Sequence, residues 1–174
     1  YLKKIRIPTH ESDVFVNTLY KKPTNSFVNY LKKEGFEKAI FQKKISKKII
    51  REEIFKKTKK RKKLEKYLHN EVRKNREEFL KKNKNKKIIF LDIPLLFENK
   101  LETVCNYICS TTAPLKIRRA RALQRLGMKK KIFNQIVKTQ IKDSVRKKKS
   151  NYLIDTSKTK AKTCLRIDNI IYDI

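Results

Sequence analysis

Glycine is almost missing from this chain: there are two, Gly35 and Gly127, followed by Phe36 and Met128. No loop of the form G-x-x-x-x-G-K-[ST], the backbone cradle for nucleotide phosphates, exists in its 174 residues. Methionine occurs once, at Met128, and the chain opens on Tyr1 without a signal-like start, so it reads as a fragment of a longer protein. The three cysteines are odd in number and lack a C-x-x-C pair, which excludes a disulfide scaffold and suits a reducing compartment, the cytoplasm. Only two histidines are present, far apart and far from any cysteine, so neither a zinc site nor a Cys–His nucleophile is supported. No apolar run reaches the roughly 18 residues of a membrane helix. The longest attempt, Ile88 to Phe97, is broken by Asp92 and Pro94, which excludes an integral membrane protein.

Acidic residues are scarce as well: 17 Asp+Glu stand against 48 Lys+Arg, a net charge of +31. That imbalance speaks of polyanion affinity and says nothing about fold. At 39% hydrophobic residues, the chain can still build a core for one domain with a smaller inserted lobe. Lysine is spread widely and is densest from Lys43 to Lys66, where Ile45, Ile49, Ile50, Ile54 and Phe55 recur at helical spacing. This is a basic amphipathic helix or two, fit for a solvated surface, a membrane surface or nucleic acid. Arginine is distributed differently. Four of the 11 arginines, Arg118, Arg119, Arg121 and Arg125, fall within eight residues, and no carboxylate lies between Glu102 and Asp143. A guanidinium grips phosphate through a planar fork, where lysine offers a point charge. A helix would set Arg118, Arg121 and Arg125 on one face and Ile117, Ala120 and Leu123 on another, against the body.

Along the chain, Ile5 to His10 reads as a short extended segment. A helix follows from about Val14 to Tyr20, with Ser12 or Asp13 as its cap. Asn25 to Asn83 is helical throughout, with no clear strand. Lys81 to Lys87 is a polar connector. Ile88 to Leu91 is apolar on both faces, as in a central parallel strand covered on both sides by helices, and Asp92 closes it. Val104 to Ser110 and Tyr152 to Asp155 are two more strands. Pro114 opens the arginine helix, Gly127 breaks it, Lys131 to Thr139 is another helix and Ala161 to Tyr172 closes the chain. Strands separated by helices in this rhythm predict an α/β fold with a parallel sheet.

Ligands bind at the carboxyl ends of strands in such sheets. Asp92 stands there, where a carboxylate can hold Mg2+, take a proton from a hydroxyl, or merely cap a turn. Asp13 is a second carboxylate of this kind. Two acids at strand ends and an acid-free arginine helix suit phosphoryl transfer better than hydrolysis of a neutral substrate. His69 falls on the apolar side of a helix beside Leu68 and Val72, where a core or cap role competes with function.

At Leu91-Asp92-Ile93-Pro94-Leu95-Leu96-Phe97-Glu98 the sequence resembles the D-x-P-L-L-x-E segment of the dephospho-coenzyme A kinases. Downstream, the lid's Pro, Gln, Arg and Arg correspond to Pro114, Arg118, Arg121 and Arg125. Gln140 matches the next Gln, and Arg146 stands for a Lys. Ser150 to Thr156 is similar to A-D-Y-V-I-D-N. Upstream, Glu11-Ser12-Asp13 is similar to D-A-D, and Leu64 to Arg73 resembles L-x-x-I-x-H-P-x-V-R, with His69 and Arg73 in place. The resemblance implies a P-loop NTPase-like α/β fold with a parallel sheet flanked by helices. It divides the chain into a nucleotide-kinase core (residues 1–24, 81–113 and 151–174), an inserted helical coenzyme-binding lobe (25–80) and an Arg-rich helical lid (114–150). It implies transfer of the γ-phosphate of ATP, with Mg2+, to the ribose 3′-hydroxyl of dephospho-coenzyme A, the last step of coenzyme A synthesis. In that reading Asp13 orients or deprotonates the hydroxyl, Asp92 shapes the Mg2+ and phosphate side, Arg121 and Arg125 clamp ATP phosphates, and His69 and Arg73 line the coenzyme side.

The chain departs from the pattern at Asn70 (Pro in the family), Asn17 (often His), Arg118 (Gln) and Asn151 (Asp). It also lacks the family's opening strand, phosphate loop and helix, of which Tyr1 to Lys4 resembles the end. In the family fold that first strand is central, so the chain alone is expected to leave two strand edges unpaired and to be inactive. Two other readings compete: a basic RNA- or DNA-binding protein without enzymatic activity, and a sibling P-loop kinase for another nucleoside or nucleotide. Against the first, no aromatic lies in the arginine cluster between Tyr107 and Phe133 to stack a base. Nonspecific polyanion binding is expected under every reading.

Overall fold

The structure, a computed structural model, describes all residues except Lys43 and Lys56, so those two members of the basic stretch lie outside the described residues. Backbone packing divides the chain into two compact units, Leu2–Pro94 and Leu95–Ile174 with Tyr1.

In the first unit, β1 (Thr9–Glu11) runs directly into α1 (Ser12–Lys21). The helix N-cap is Glu11, with no side-chain cap bond, one residue earlier than the expected Ser12 or Asp13. After Pro23, Thr24 caps α2 (Asn25–Lys33) by accepting the Phe27 amide at 3.2 Å. The end of α2 is a Schellman motif: the Phe36 amide donates to the Leu31 carbonyl at 2.8 Å and the Gly35 amide to Lys32 at 2.9 Å. Gly35 takes φ 72°, which only glycine adopts without penalty, and the motif brings the side chains of Phe36 and Leu31 fully into the core.

Two-residue strands β2 (Ile40–Phe41) and β3 (Lys44–Ile45) then pair antiparallel. The helical reading of 25–83 missed them because they are too short to show a period. Ser46 caps α3 (Lys47–Ile54), and α4 (Thr58–Lys82) is the long helix of the unit. Phe55 falls between the two helices and is exposed, so it is not part of the apolar stripe expected of it. The core gathers Leu19, Phe27, Leu31, Phe36, Ala39, Ile45, Ile50 and Leu64. Tyr67 of α4 stacks on Tyr30 with ring centroids 4.0 Å apart. Finally β4 (Phe90–Asp92) pairs parallel with β1. Ile88 to Leu91 are half-buried rather than sealed on both faces, and only Phe90 onward is strand.

In the second unit, β5 (Cys109–Thr112) and β6 (Tyr152–Asp155) pair parallel. The expected strand at Val104 is displaced: Glu102–Val104 is a 3-10 turn, and pairing starts at Cys109. Ser150 and Ser110 hydroxyls meet at 2.7 Å, and the Asn151 side chain accepts the Ile108 amide at 2.8 Å, which sets the register. Between these strands lie α5 (Leu115–Leu123), α6 (Lys130–Thr139) and a short α7 (Asp143–Lys148) that was not expected. Thr159 caps the closing helix α8 (Lys160–Asp173), whose Ile170 is buried, as is Ile154 of β6. Among the described residues no helix is long and apolar enough to cross a membrane.

Candidate active site

Three carboxylates lie near the carboxyl ends of β1 and β4, though among the described residues they do not form a group that could hold a metal ion. The parallel register sets Glu11 opposite Asp92, and Asp13 follows in the first turn of α1. Partial burial, then the charges of Asp13 and Glu11, push the Asp92 carboxyl above the usual carboxylate range. Glu11 is tied to Lys3 by an ion pair. Asp13 and Asp92 are both exposed at the strand ends and open to a ligand.

Beneath them His10 is buried, its Nε2 3.1 Å from Asn75 Oδ1 and its ring 5.5 Å from that of Phe79. Burial lowers its pKa, the Asn75 bond opposes this, and Arg76 lowers it further. His69 and Arg73 lie on the same helix as Asn75, α4, four residues apart and so on one face. His69 is exposed, not on the apolar side as its neighbours suggested: α4 turns Leu64 and Arg76 inward instead. Arg73 is exposed and pairs loosely with Glu77 at 4.0 Å.

The arginines belong to the second unit. Helix α5 ends at Leu123, so Arg125 sits in the turn after it and does not extend an Arg118–Arg121 face. Arg121 is exposed and donates to the Thr156 carbonyl at 2.8 Å, just past β6. Arg118 is drawn inward by Asp143, the first acid after the acid-free stretch, and Arg119 lies over the Phe133 ring at 5.9 Å. Ile117 is half-buried and Arg121 and Arg125 are exposed, as expected, but Arg118 and Arg119 are half-buried too, while Ala120 and Leu123 are exposed, so the expected facing fails at Arg118, Ala120 and Leu123. Asp143 also holds Arg146 at 2.6 Å. A cavity of ≈ 490 Å³ opens at the carboxyl ends of β5 and β6, lined by Thr112, Pro114, Arg118, Asp143, Lys147 and Asp155 among others. In the segment after β4, Glu98 accepts the Ile141 amide at 2.9 Å, beside Gln140.

Comparison with known proteins decides what this arrangement belongs to. The family model described as dephospho-CoA kinase matches residues 1–162. The chain belongs to the dephospho-CoA kinase family. A dephospho-CoA kinase of Bartonella quintana is 29% identical over 177 residues, covering 100% of this chain and 89% of that protein. One of Bartonella henselae is 30% identical, covering 91% and 80%. Among solved structures, TT1252 from Thermus thermophilus superposes with a TM-score of 0.75 at 20% identity over 99% of this chain and 86% of that one. A dephospho-CoA kinase from Campylobacter jejuni gives 0.70 at 21% over 99% and 87%. The expected α/β kinase fold with parallel strands flanked by helices is thereby established, and with it an ATP-dependent phosphotransferase family.

Within this kinase, sequence reading brought forward Asp13 and Asp92, which do share one group of acids, and missed Glu11, His10 and the Asp143 pairings. The signal for Glu11 was present, since parallel pairing of two strands that each end in an acid puts those acids side by side. Asp143 was visible as the end of the acid-free stretch.

Proposed function

We propose that this dephospho-CoA kinase moves the γ-phosphate of ATP to the ribose 3′-hydroxyl of dephospho-coenzyme A, with Asp13 and Asp92 as its acids. Asp13 takes the hydroxyl proton as that oxygen bonds to phosphorus and the bond to the β-phosphate oxygen breaks, releasing ADP. Arg121 and Arg125 bind the phosphates and offset charge in the transition state. His69 and Arg73 line the coenzyme side, in a helical lobe spanning 25–80, with the nucleotide core in 1–24, 81–113 and 151–174 and a lid over 114–150.

What supports the reading is the family match over residues 1–162 together with Asp13 and Asp92 at the carboxyl ends of paired parallel strands. Among the described residues no three such carboxylates form a metal-holding group, so Mg2+ would bind through one or two carboxylates plus substrate phosphates. Bound there, the ion would neutralise phosphate charge, and Asp92 would hold it. The reading places the enzyme in the cytoplasm.

The test is direct. Protein purified from its own source, given ATP and dephospho-coenzyme A, is expected to yield coenzyme A detectable by mass. Asp13→Asn should lower kcat by about 10²-fold or more with KM nearly unchanged. Full turnover by that variant would overturn the assignment of the base.

A further inference from the structure

We propose that Arg118 and Arg146 form a phosphate-binding site in the second unit, held in the ligand-free state by Asp143 as an internal anion that the ligand displaces. The proposal deepens the kinase reading and rests on it for the identity of the ligand, a terminal phosphate or pyrophosphate group of a nucleotide.

The geometry points to an imperfect substitute. Asp143 gives one oxygen to the Arg118 guanidinium and the other to Arg146 at 2.6 Å, each through a single terminal nitrogen. Neither pairing is a two-point fork. The Nε atoms of both arginines are shielded from solvent and have no acceptor. A buried N–H without a partner is costly, and a purely structural ion pair has no reason to leave two of them. A phosphoryl group carries three peripheral oxygens and can meet the terminal nitrogen and Nε of both forks at once.

Exposure favours the acid as the partner that leaves. The arginine side chains keep 26% and 23% of their surface, and Asp143 keeps 43%, so the acid can swing to water while the cations stay. Arg118, Asp143 and Lys147 line the ≈ 490 Å³ cavity at the strand ends, and Arg146 stands behind Asp143, which both arginines share, so a ligand entering there reaches Arg146 only once Asp143 has left. That volume lies within the range of small-ligand pockets. The cavity's other acid, Asp155, accepts the Ser157 amide at 2.8 Å and makes no ion pair with Arg118 among the described residues.

Calorimetric titration of the full chain with inorganic triphosphate, and separately with ATP, at one fixed NaCl concentration tests the site. Asp143→Asn is expected to tighten both by about tenfold, the scale of one charge-assisted bond, and Arg118→Gln to weaken both to a similar degree. In the Arg118→Gln background, Asp143→Asn should tighten binding by clearly less, since only Arg146 is then left for Asp143 to release. Glu65→Gln, which makes the same charge change in the first unit, controls for net charge. Equal tightening by Glu65→Gln and Asp143→Asn, or full additivity of Arg118→Gln with Asp143→Asn, would overturn the proposal. If Asp143→Asn fails to fold, Arg118→Lys decides: it keeps the charge and loses the fork, and unchanged triphosphate affinity sinks the site. Coenzyme A formation by the wild type is read in parallel. Turnover without the Asp143 effect removes this site and leaves the kinase reading standing. The Asp143 effect without turnover upholds this site, since turnover is not expected of a chain without the phosphate loop.

Discussion

Asp92 and His10 lie on paired strands and pull the pH dependence of folding in opposite directions. Asp92 has a folded pKa above its ordinary 3.8, through burial and then the charges of Asp13 and Glu11. Between those two values the folded state holds more protons than the unfolded one, so stability falls as pH rises through the window. Ionised Asp92 therefore costs stability at neutral pH, though water around this exposed side chain screens much of it. Asp92→Asn is expected to raise the neutral-pH Tm by a few degrees at most while abolishing most activity, and the Tm gain should vanish below pH 3.8. His10 has a folded pKa below its ordinary 6.5, through burial first, against the Asn75 bond and with help from Arg76. Here the unfolded state binds the extra proton, so stability is full above pH 6.5 and is lost as pH drops below it. In thermal melts, His10→Gln should flatten the loss of Tm between neutral and mildly acid pH. An unchanged acid slope would mean that some other group sets it.

At the level of elements, the helical lobe is held by how α2 stops. The Schellman turn at Gly35 swings Phe36 back over Leu31, and Lys60 of α4 closes the turn from outside. Its ammonium donates to the Gly35 carbonyl at 2.6 Å, pairs with Glu53 of α3 at 2.8 Å and lies 3.8 Å from the centre of the Phe36 ring. Gly35→Ala has room for the added methyl, whose nearest neighbour is the flexible Lys60 tip at 3.6 Å, so its cost is the left-handed backbone alone. That cost is about 1–2 kcal/mol, to be read as a lower urea midpoint with an unchanged m-value. Lys60→Ala removes a charge-assisted bond and leaves Glu53 and the Gly35 carbonyl without it, so a loss of about 1.5–3 kcal/mol is expected. The glycine was legible as punctuation, and the amphipathic helices on either side were legible from their apolar spacing. The role of Lys60 was not, because one lysine among so many in a basic stretch carries no mark of the three partners that folding brings to it. Strand β4 shows the same limit: its existence and its closing acid were plain from an apolar run ending in Asp92, but its length depended on a partner, β1, remote in sequence. The arginine helix was misread at Arg118, Ala120 and Leu123 for a related reason. Periodicity ranks residues by polarity, and it could not see that Asp143, distant along the chain, would draw Arg118 inward.

For the whole molecule the governing quantity is net charge. Only nine of the 48 cations stand in ion pairs among the described residues, those of Lys3, Lys60, Arg61, Lys63, Arg73, Lys74, Arg118, Arg146 and Lys149. Most of these pairs are exposed and contribute little each. Self-repulsion among the remaining positive charges acts throughout the fold and is relieved by unfolding. Added salt screens both effects, so the sign of the response tells which is larger. The Debye length falls from about 30 Å at 0.01 M to about 10 Å at 0.1 M, which removes long-range repulsion before it weakens contacts at 3 Å. Raising NaCl over that range is therefore expected to raise Tm by about 3 °C or more, followed by circular dichroism because the chain has no tryptophan. Sulfate and phosphate are the wrong salts for this measurement. Both strengthen apolar burial irrespective of charge, and phosphate would also engage arginines directly. A Tm that falls across the same range in NaCl would show that the few ion pairs outweigh the excess of positive charge. The fold would then owe its stability to networks such as Arg118–Asp143–Arg146 more than to its small apolar cores.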